Sequence, residues 1–516
     1  MKTIPREFDK RITIQEAFFY GFFILLSVTK GLGFYEGQKI FVLLTTMALL
    51  LGFLKLLVTP YTKRQAVIQF LLLGLTAVVY LESREPAIFF VAFTVLGMKG
   101  ISVKKTLHIA LWVWTSCAVV LSVFSFFRLE HTVYRVHAKM GLGHIFRWSL
   151  GFTHPNILHI TYLMLCALII LELEDRYGVK AYLLLMLGNF LVFFYSVSYT
   201  GFGMVAVLLT GCLYVKSRPR FCLLEKAAVN LVFPVCLILS FVMPLFLYRY
   251  FHVLYLFGYP VLGTLAHELN TLLNTRIWLA QQFLDGGYGS LFGRDVSQIT
   301  SSSMTLDNSY VWCYIHYGLI FTVIILAGYF ALLFYDTRRQ RTRELMVLVC
   351  FLAAGWTEQL LFNTSFKNIT LIFLGALLFL QKEGEKEYCL LPRFCDRQVD
   401  VPLAGMPDRL FLTVRAVYRA RRGRILGAAA VGACVLYLRA PERFLGWLGI
   451  GVSEPAADLR AQRLVQQKLE QTAKAFRTLC DSLRTAFRTP ENDNNVSAVF
   501  DRAAGRQCRS CTLRDR

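Results

Sequence analysis

The sequence predicts an all-α protein: a polytopic membrane bundle of about twelve spans, followed by a mainly helical cytoplasmic C-terminal region. Composition supports this class, because 56% of the 516 residues are hydrophobic, 17% are charged and the mean hydropathy is +0.51. The hydrophobic residues also form runs of about 15 to 25, close to the ~20 residues that a helix needs to cross a bilayer. Runs such as 40–54 and 227–247 are apolar on every face, which excludes the alternating pattern of a membrane β-barrel.

The predicted spans follow these runs along the chain. They are 14–30, 39–58, 66–82, 86–98, 106–127, 153–172, 180–196, 201–215, 226–249, 309–335, 343–363 and 369–381. With the N-terminus in the cytoplasm, every inner loop carries a basic cluster, as the positive-inside rule requires. These clusters are Lys63/Arg64, Lys99/Lys104/Lys105, Arg176/Lys180, Lys216/Arg218/Arg220/Lys226 and Arg338/Arg339/Arg341/Arg343. Both termini are therefore predicted to be cytoplasmic, and topology explains the formal charge of +22 without nucleic acid.

Two long outer connections, 128–152 and 249–308, are the predicted functional loops. The first is strongly basic on the side where positive charge is normally scarce, which indicates an anionic partner. Arg135 in this loop is a candidate substrate-binding residue. The second loop has apolar residues at helical spacing, followed by the turn-rich segment GGYGSLFG.

The segment RWSLGFTHPN holds the sharpest candidate site. Arg147 and His154 bracket a glycine turn at the outer end of a span, so both side chains are expected to reach one anion. Arginine suits this task because its planar fork pairs with two phosphate oxygens. The structural alternative is that Arg147 contacts lipid head groups and His154 merely begins a helix.

Arg276 and Asp307 are the candidates of the second loop. A second fixed cation on the same side is what a pyrophosphate requires, although Arg276 also fits the surface of an amphipathic helix. Asp307 precedes Asn308 and Tyr310 where the tenth span opens, so its carboxylate either caps that helix or acts as a base toward a sugar hydroxyl. His154 is the competing base.

Two polar residues of the eleventh predicted span, Glu358 and Asn363, must be paired inside the bundle, and structural pairing is the expected role. A CxxC pair, Cys508 and Cys511, has no second pair at zinc spacing, so no metal site is predicted.

Four segments resemble the O-antigen polymerase and ligase superfamily, especially polysaccharide polymerases of Gram-positive bacteria. They are RWSLGFTHPN, SVSYTGFG, TRIWLAQQFL and LDNSYVWCYIHYGLI, and the resemblance covers roughly residues 10–382. It implies a glycosyltransferase-C-like helical architecture in a bacterial plasma membrane and an undecaprenyl-diphosphate-linked oligosaccharide as substrate, with no metal or other cofactor. Membrane lipids, a flippase and a chain-length regulator are the further partners that it implies.

The resemblance also implies roles for site residues. Arg147 and Arg276 would neutralise the undecaprenyl diphosphate leaving group. The residues that would line the acceptor site are His154, Asn156, Asp307 and Asn308. Many ligases of the superfamily have a histidine where this chain has Asp307–Asn308, which favours a polymerase.

The C-terminal part resembles another family. AQRLVQQKLEQTAKAFRTLCDSL and VFDRAAGRQCRSCTLRD are similar to the central region of stage II sporulation protein E, over about residues 391–516 and without its phosphatase domain. The predicted domains are the membrane domain 1–382, a basic linker 383–455 with a short amphipathic or marginally inserted helix, and the helical fragment 456–516. A gene fusion, a truncation or an erroneous join in sequence assembly would each explain the change of composition near residue 390.

The sequence thus predicts a polymerase that joins lipid-linked repeats on the outer face of the membrane. Three alternatives stay open: a ligase that transfers glycan to another acceptor, a glycan or anion transporter, and a sporulation-associated membrane protein. Polar groups within spans and a basic outer cavity also suit an anion pathway. Broken helices in paired repeats would support it, but the sequence shows no clear internal repeat.

Overall fold

The structure is a computed structural model that describes residues 11–127, 133–136, 145–218, 220–249, 260–297, 306–380, 386–391 and 398–400. The chain divides into two compact units, Met1–Pro402 and Leu403–Arg516. The first unit contains the whole predicted membrane domain. The predicted linker helix and the sporulation-protein-like fragment lie outside the described residues.

The described residues form a helical bundle. Its helices are α1 (Ile14–Gly31), α2 (Lys39–Val58), α3 (Lys63–Ser83), α4 (Ala87–Gly97), α5 (Val103–Phe127), α6 (Pro155–Leu173), α7 (Val179–Ser196), α8 (Tyr199–Ser217), α9 (Leu223–Val242), α10 (Pro260–Leu272), α11 (Arg276–Asp285), α12 (Ser309–Arg339), α13 (Thr342–Thr357) and α14 (Thr370–Leu378). A π-helical turn, Met243–Tyr248, extends α9, and a 3-10 turn, Glu174–Arg176, follows α6.

Eight helices within the described residues are long and apolar enough to cross a membrane, namely α2, α3, α5, α6, α7, α8, α9 and α12. Their outward faces carry large exposed apolar side chains such as Phe70, Leu184 and Leu224, as surfaces in contact with lipid tails require. The chain is therefore a mainly helical, multi-pass membrane protein.

The other four predicted spans also contain helices, but these are shorter or more polar. α4 has 11 residues, α13 has 16 and α14 has 9, while the 18 residues of α1 include Glu16 and Lys30. The count of about twelve spans stays a prediction.

Two of the late helices are interrupted. Residues 358–369 separate α13 from α14, and Gly318 breaks α12 with a φ of 79°. A broken backbone within a bundle needs other hydrogen-bond partners, because lipid supplies none. Ser309 supplies one, since its Oγ accepts bonds from the N–H groups of Leu360 (3.0 Å) and Leu361 (3.2 Å).

The turn-rich segment 286–297 docks on the break in α12. The N–H groups of Leu319 and Ile320 donate to the carbonyl oxygens of Ser290 (2.9 Å) and Leu291 (3.2 Å). The break at Gly318 therefore fixes the outer loop that leads away from α11.

Short strands depart from the all-α prediction. β1 (Arg11–Thr13) pairs with β6 (Gln398–Asp400), β2 (Tyr61–Thr62) pairs with β5 (Glu387–Tyr388), and β3 (Val133–Val136) pairs with β4 (Ile145–Trp148), all antiparallel. The β3–β4 pair lies within the predicted loop 128–152. Pairing satisfies backbone hydrogen bonds of these two strands and fixes the position of Arg147 on β4.

Candidate functional site

Arg147 is held between the β3–β4 hairpin and two helix ends. Arg147 lies opposite Tyr134 in the hairpin, and only 5% of its surface is exposed. Nε donates to the carbonyl oxygen of Ser196 at the end of α7 (2.6 Å), and Nη2 donates to Oδ1 of Asn156 at the start of α6. No described residue accepts a hydrogen bond from Nη1, so one corner of the guanidinium keeps its donors.

The pKa of Arg147 is lowered to about 10: burial lowers it, the negative charge of Glu358 opposes this effect, and the positive charge of Arg276 adds a smaller lowering. Arg147 stays protonated at neutral pH. Both arginines and Glu358 therefore act on one another at a single site, although they come from distant parts of the sequence.

Arg276, the first residue of α11, binds two carboxylates. Its Nε donates to Oδ2 of Asp307 (3.0 Å), and its Nη2 donates to Oε1 of Glu358 (2.8 Å). Burial alone would lower the pKa of Arg276, but the two carboxylates outweigh burial and raise it. The pKa of Asp307 is raised, because burial outweighs the attraction of Arg276. As in Arg147, Nη1 has no acceptor among the described residues.

Glu358 is the residue that connects the site. It follows α13, where the eleventh predicted span was expected to continue, and its side chain is 9% exposed. Oε1 of Glu358 accepts a second bond, from the hydroxyl of Thr200 (2.7 Å). Thr200 belongs to the SVSYTGFG segment, so α8 also contributes to this site.

The segment Asp307–Ser309 holds Glu358 in place. The hydroxyl of Ser309 donates to the carbonyl oxygen of Glu358 (2.6 Å). Asn308, rather than Asp307, caps α12: its Oδ1 accepts bonds from the N–H groups of Tyr310 (2.9 Å) and Val311 (3.2 Å). Because Asn308 caps the helix, the carboxylate of Asp307 is available to pair with Arg276.

His154 begins a helix, as the structural alternative in the sequence analysis expected. It is the N-cap of α6, where Nδ1 accepts a bond from the N–H group of Asn156 (3.1 Å). That bond requires a lone pair on Nδ1, so this nitrogen is occupied in the observed arrangement.

Tyr310 bonds neither arginine, and Arg135 is placed only by its backbone register. Tyr310 is fully buried, and its hydroxyl donates to the carbonyl oxygen of Leu352 (2.5 Å), which suits a structural role. Arg135 lies opposite Phe146 in the hairpin, one position from the Tyr134–Arg147 pair. The structure thus joins Arg147 to Asn156 and Arg276 to Asp307, and Asn308 lines a small cavity beside Arg276.

His159 is a supporting residue that the sequence prediction missed. Its ring bonds Ser196 Oγ (2.9 Å) through Nδ1 and Asn189 Oδ1 (2.8 Å) through Nε2, which ties α6 to the end of α7. A side chain at Gly201 would collide with it, because an added Cβ would lie 2.6 Å from the ring. A histidine in an otherwise apolar span is a signal that the sequence does contain.

The site has two guanidinium groups and two carboxylates, so its formal charges balance when all four ionise. A cavity of about 20 Å³ beside Arg276, lined by Ser240, Asn308 and Trp356, has room for about one water molecule. The guanidinium donors that no described residue occupies are those of Nη1 on both arginines. Within the described residues no group of three or more His, Cys, Asp or Glu side chains is arranged to hold a metal ion.

Comparison with known proteins gives no relative. No protein-family model matches the chain, and neither curated proteins nor solved structures include a significant match. The superfamily resemblance stays a prediction from the segments quoted above.

Proposed function

We propose that this multi-pass protein is a polysaccharide polymerase that joins undecaprenyl-diphosphate-linked oligosaccharide repeats at the outer face of a bacterial plasma membrane. One observation carries the proposal: Arg147 and Arg276, 129 positions apart by their numbers (276 − 147), lie at one site around Glu358. Each keeps an Nη1 corner without a described acceptor. Two fixed cations with open donors suit a diphosphate, which carries charge on both phosphates.

The reaction is an inverting transfer that needs no nucleotide sugar. A hydroxyl of one lipid-linked repeat attacks the anomeric carbon of the growing chain, and the bond from that carbon to the diphosphate oxygen breaks. The two arginines stabilise the charge that develops on the departing undecaprenyl diphosphate. Binding both substrates in line supplies the remaining rate enhancement.

The test is elongation by purified protein in proteoliposomes supplied with lipid-linked repeat units, followed by gel analysis of product length. The variants are Arg147→Ala and Arg276→Ala, and Arg294→Ala is the matched control. Arg294 lies in the same outer loop as Arg276. Its guanidinium, however, bonds only the carbonyl oxygen of Gly287 (3.3 Å) among the described residues. A product ladder that both site variants abolish and the control retains supports the proposal, provided that all three fold.

The ligase alternative uses the same arginines but a different acceptor. It predicts a single transfer of preformed glycan to an added acceptor, with no ladder from repeat units alone. The same proteoliposomes therefore separate the two reactions when the acceptor is varied.

A transporter is the second candidate function, because broken helices favour it. α12 breaks at Gly318 and the α13–α14 pair breaks at 358–369, and polar residues such as Lys367 and Asn368 lie in the second break. This candidate predicts passage of labelled lipid-linked repeats across the proteoliposome membrane without elongation. A tail deletion after Pro402 that abolishes sporulation but leaves glycan unchanged would instead favour the sporulation-associated alternative.

A further inference from the structure

Glu358 has one carboxylate oxygen that no described residue binds. Both of its described donors, Thr200 Oγ1 (2.7 Å) and Arg276 Nη2 (2.8 Å), bind Oε1. The main chain of Glu358 is fixed as well, because its carbonyl oxygen accepts a bond from Ser309. Thr200 and Arg276 therefore hold the carboxylate in place through Oε1, and Oε2 remains available to accept a hydrogen bond.

We propose that Glu358 is the catalytic base of the transfer, an inference that rests on the proposed polymerase function. Its position carries the argument. Glu358 binds Arg276 directly (2.8 Å), and its other donor, Thr200, lies four positions after Ser196, whose carbonyl oxygen accepts the bond from Arg147. A diphosphate held by both arginines therefore places the attached sugar close to Glu358. An acceptor hydroxyl that approaches this sugar then meets Oε2.

The proton and electron balance is complete without a further reactant. The acceptor O–H bond breaks, and its proton goes to Oε2 of Glu358 while the acceptor oxygen bonds to the anomeric carbon. The bond between that carbon and the diphosphate oxygen breaks, and its electron pair leaves with undecaprenyl diphosphate. The open corners of Arg147 and Arg276 take up that charge.

The two bases predicted from the sequence are placed less well. His154 already uses Nδ1 as the cap of α6. Asp307 binds the Nε side of Arg276 and, unlike Glu358, accepts no bond from Thr200 at the start of α8. A carboxylate beside one arginine alone is farther from a substrate that bridges both.

Glu358→Gln tests the proposal, because the amide oxygen still accepts bonds from Thr200 and Arg276 but Oε2 is lost as a base. We expect the elongation rate to fall by about 100-fold or more, the range for removal of a general base. The affinity for sugar-free undecaprenyl diphosphate should be unchanged or tighter, because a negative charge beside the arginines has been removed. Asp285→Asn, which neutralises a carboxylate at the end of α11 that pairs with Arg249 (3.4 Å) and not with a site arginine, is the matched control and should lose less than about 10-fold.

Three outcomes overturn the proposal in different ways. Elongation by Glu358→Gln within about 10-fold of wild type means that Glu358 is no base. A loss of undecaprenyl diphosphate affinity as large as that of Arg276→Ala means that Glu358 only positions the arginine. If wild-type protein binds undecaprenyl diphosphate but elongates no repeat unit, the polymerase function itself fails and the base proposal fails with it. Thermal unfolding in detergent establishes that each variant is folded.

Discussion

Arg276 Nη2 and Glu358 Oε1 are 2.8 Å apart and join the outer helix α11 to the break between α13 and α14. The same guanidinium binds Asp307, immediately before α12, so one side chain connects three segments of the chain. A buried arginine that serves two carboxylates cannot be removed without leaving both unpaired. The site is therefore part of what holds the outer end of these helices together.

Replacing Arg276 by methionine should destabilise the protein by about 3 to 5 kcal/mol, because Asp307 and Glu358 lose their counter-charge in a buried site. The double variant Arg276→Met/Glu358→Gln should lose less than the single variant, since one of the stranded charges is gone. Unfolding of the two single variants, the double variant and wild type in detergent measures this coupling. Additive losses would mean that the ion pair contributes nothing beyond its separate residues.

Ser309→Ala should cost roughly 1 to 3 kcal/mol, because the N–H group of Leu361 loses its acceptor in a buried position, whereas that of Leu360 keeps the carbonyl oxygen of Glu358 (2.9 Å). Thr94→Val is the control. Among the described residues, the buried hydroxyl of Thr94 bonds only the carbonyl oxygen of Phe90 in its own helix, so its removal strands no described donor. Equal shifts of the unfolding midpoint for the two variants would contradict the role assigned to Ser309.

Gly318→Ala should prevent the segment 286–297 from docking on α12. An added Cβ would lie 2.3 Å from the backbone nitrogen of Gly293 and 2.4 Å from the carbonyl oxygen of Leu291, and the φ of 79° is itself unfavourable for alanine. We expect a loss of at least about 3 kcal/mol, or no folded protein.

Gly74→Ala is the matched control for that change. Gly74 lies within α3, and an added Cβ there meets nothing within 4 Å. Alanine should be neutral or stabilise the helix by up to about 1 kcal/mol. Detergent-solubilised yield and unfolding midpoint compare the two variants, and a well-folded Gly318→Ala protein would refute the docking described here.

The sequence was informative where a local pattern determines the structure. Apolar runs of bilayer length predicted helices at each expected position. That Arg147 is a functional residue stays a prediction. The role of Glu358 was beyond reach, because nothing near it in the sequence indicates that its partners are Thr200 and Arg276. The β3–β4 hairpin was missed because its strands are only four residues each, too short for an alternating pattern.

Glu85, in the turn between α3 and α4, should make stability depend on pH. Burial, followed by repulsion from Glu36, raises the pKa of Glu85 from 4.5 to about 7, although the N–H group of Ala87 and the charge of Lys30 oppose the rise. Between pH 4.5 and 7 the unfolded chain therefore releases this proton before the folded protein does. The free energy of unfolding therefore falls as the pH rises through that interval. Above pH 7 the total loss is on the order of 3 kcal/mol.

Glu85→Gln removes that penalty, so the variant should be more stable than wild type at pH 8 and should lose this advantage near pH 4.5. Glu82→Gln, at an exposed position three residues earlier, is the control and should change the unfolding midpoint little at either pH. Unfolding midpoints in detergent at several pH values measure the difference between each variant and wild type. An advantage of Glu85→Gln that is equal at both pH values would show that packing, rather than ionisation of Glu85, determines the effect.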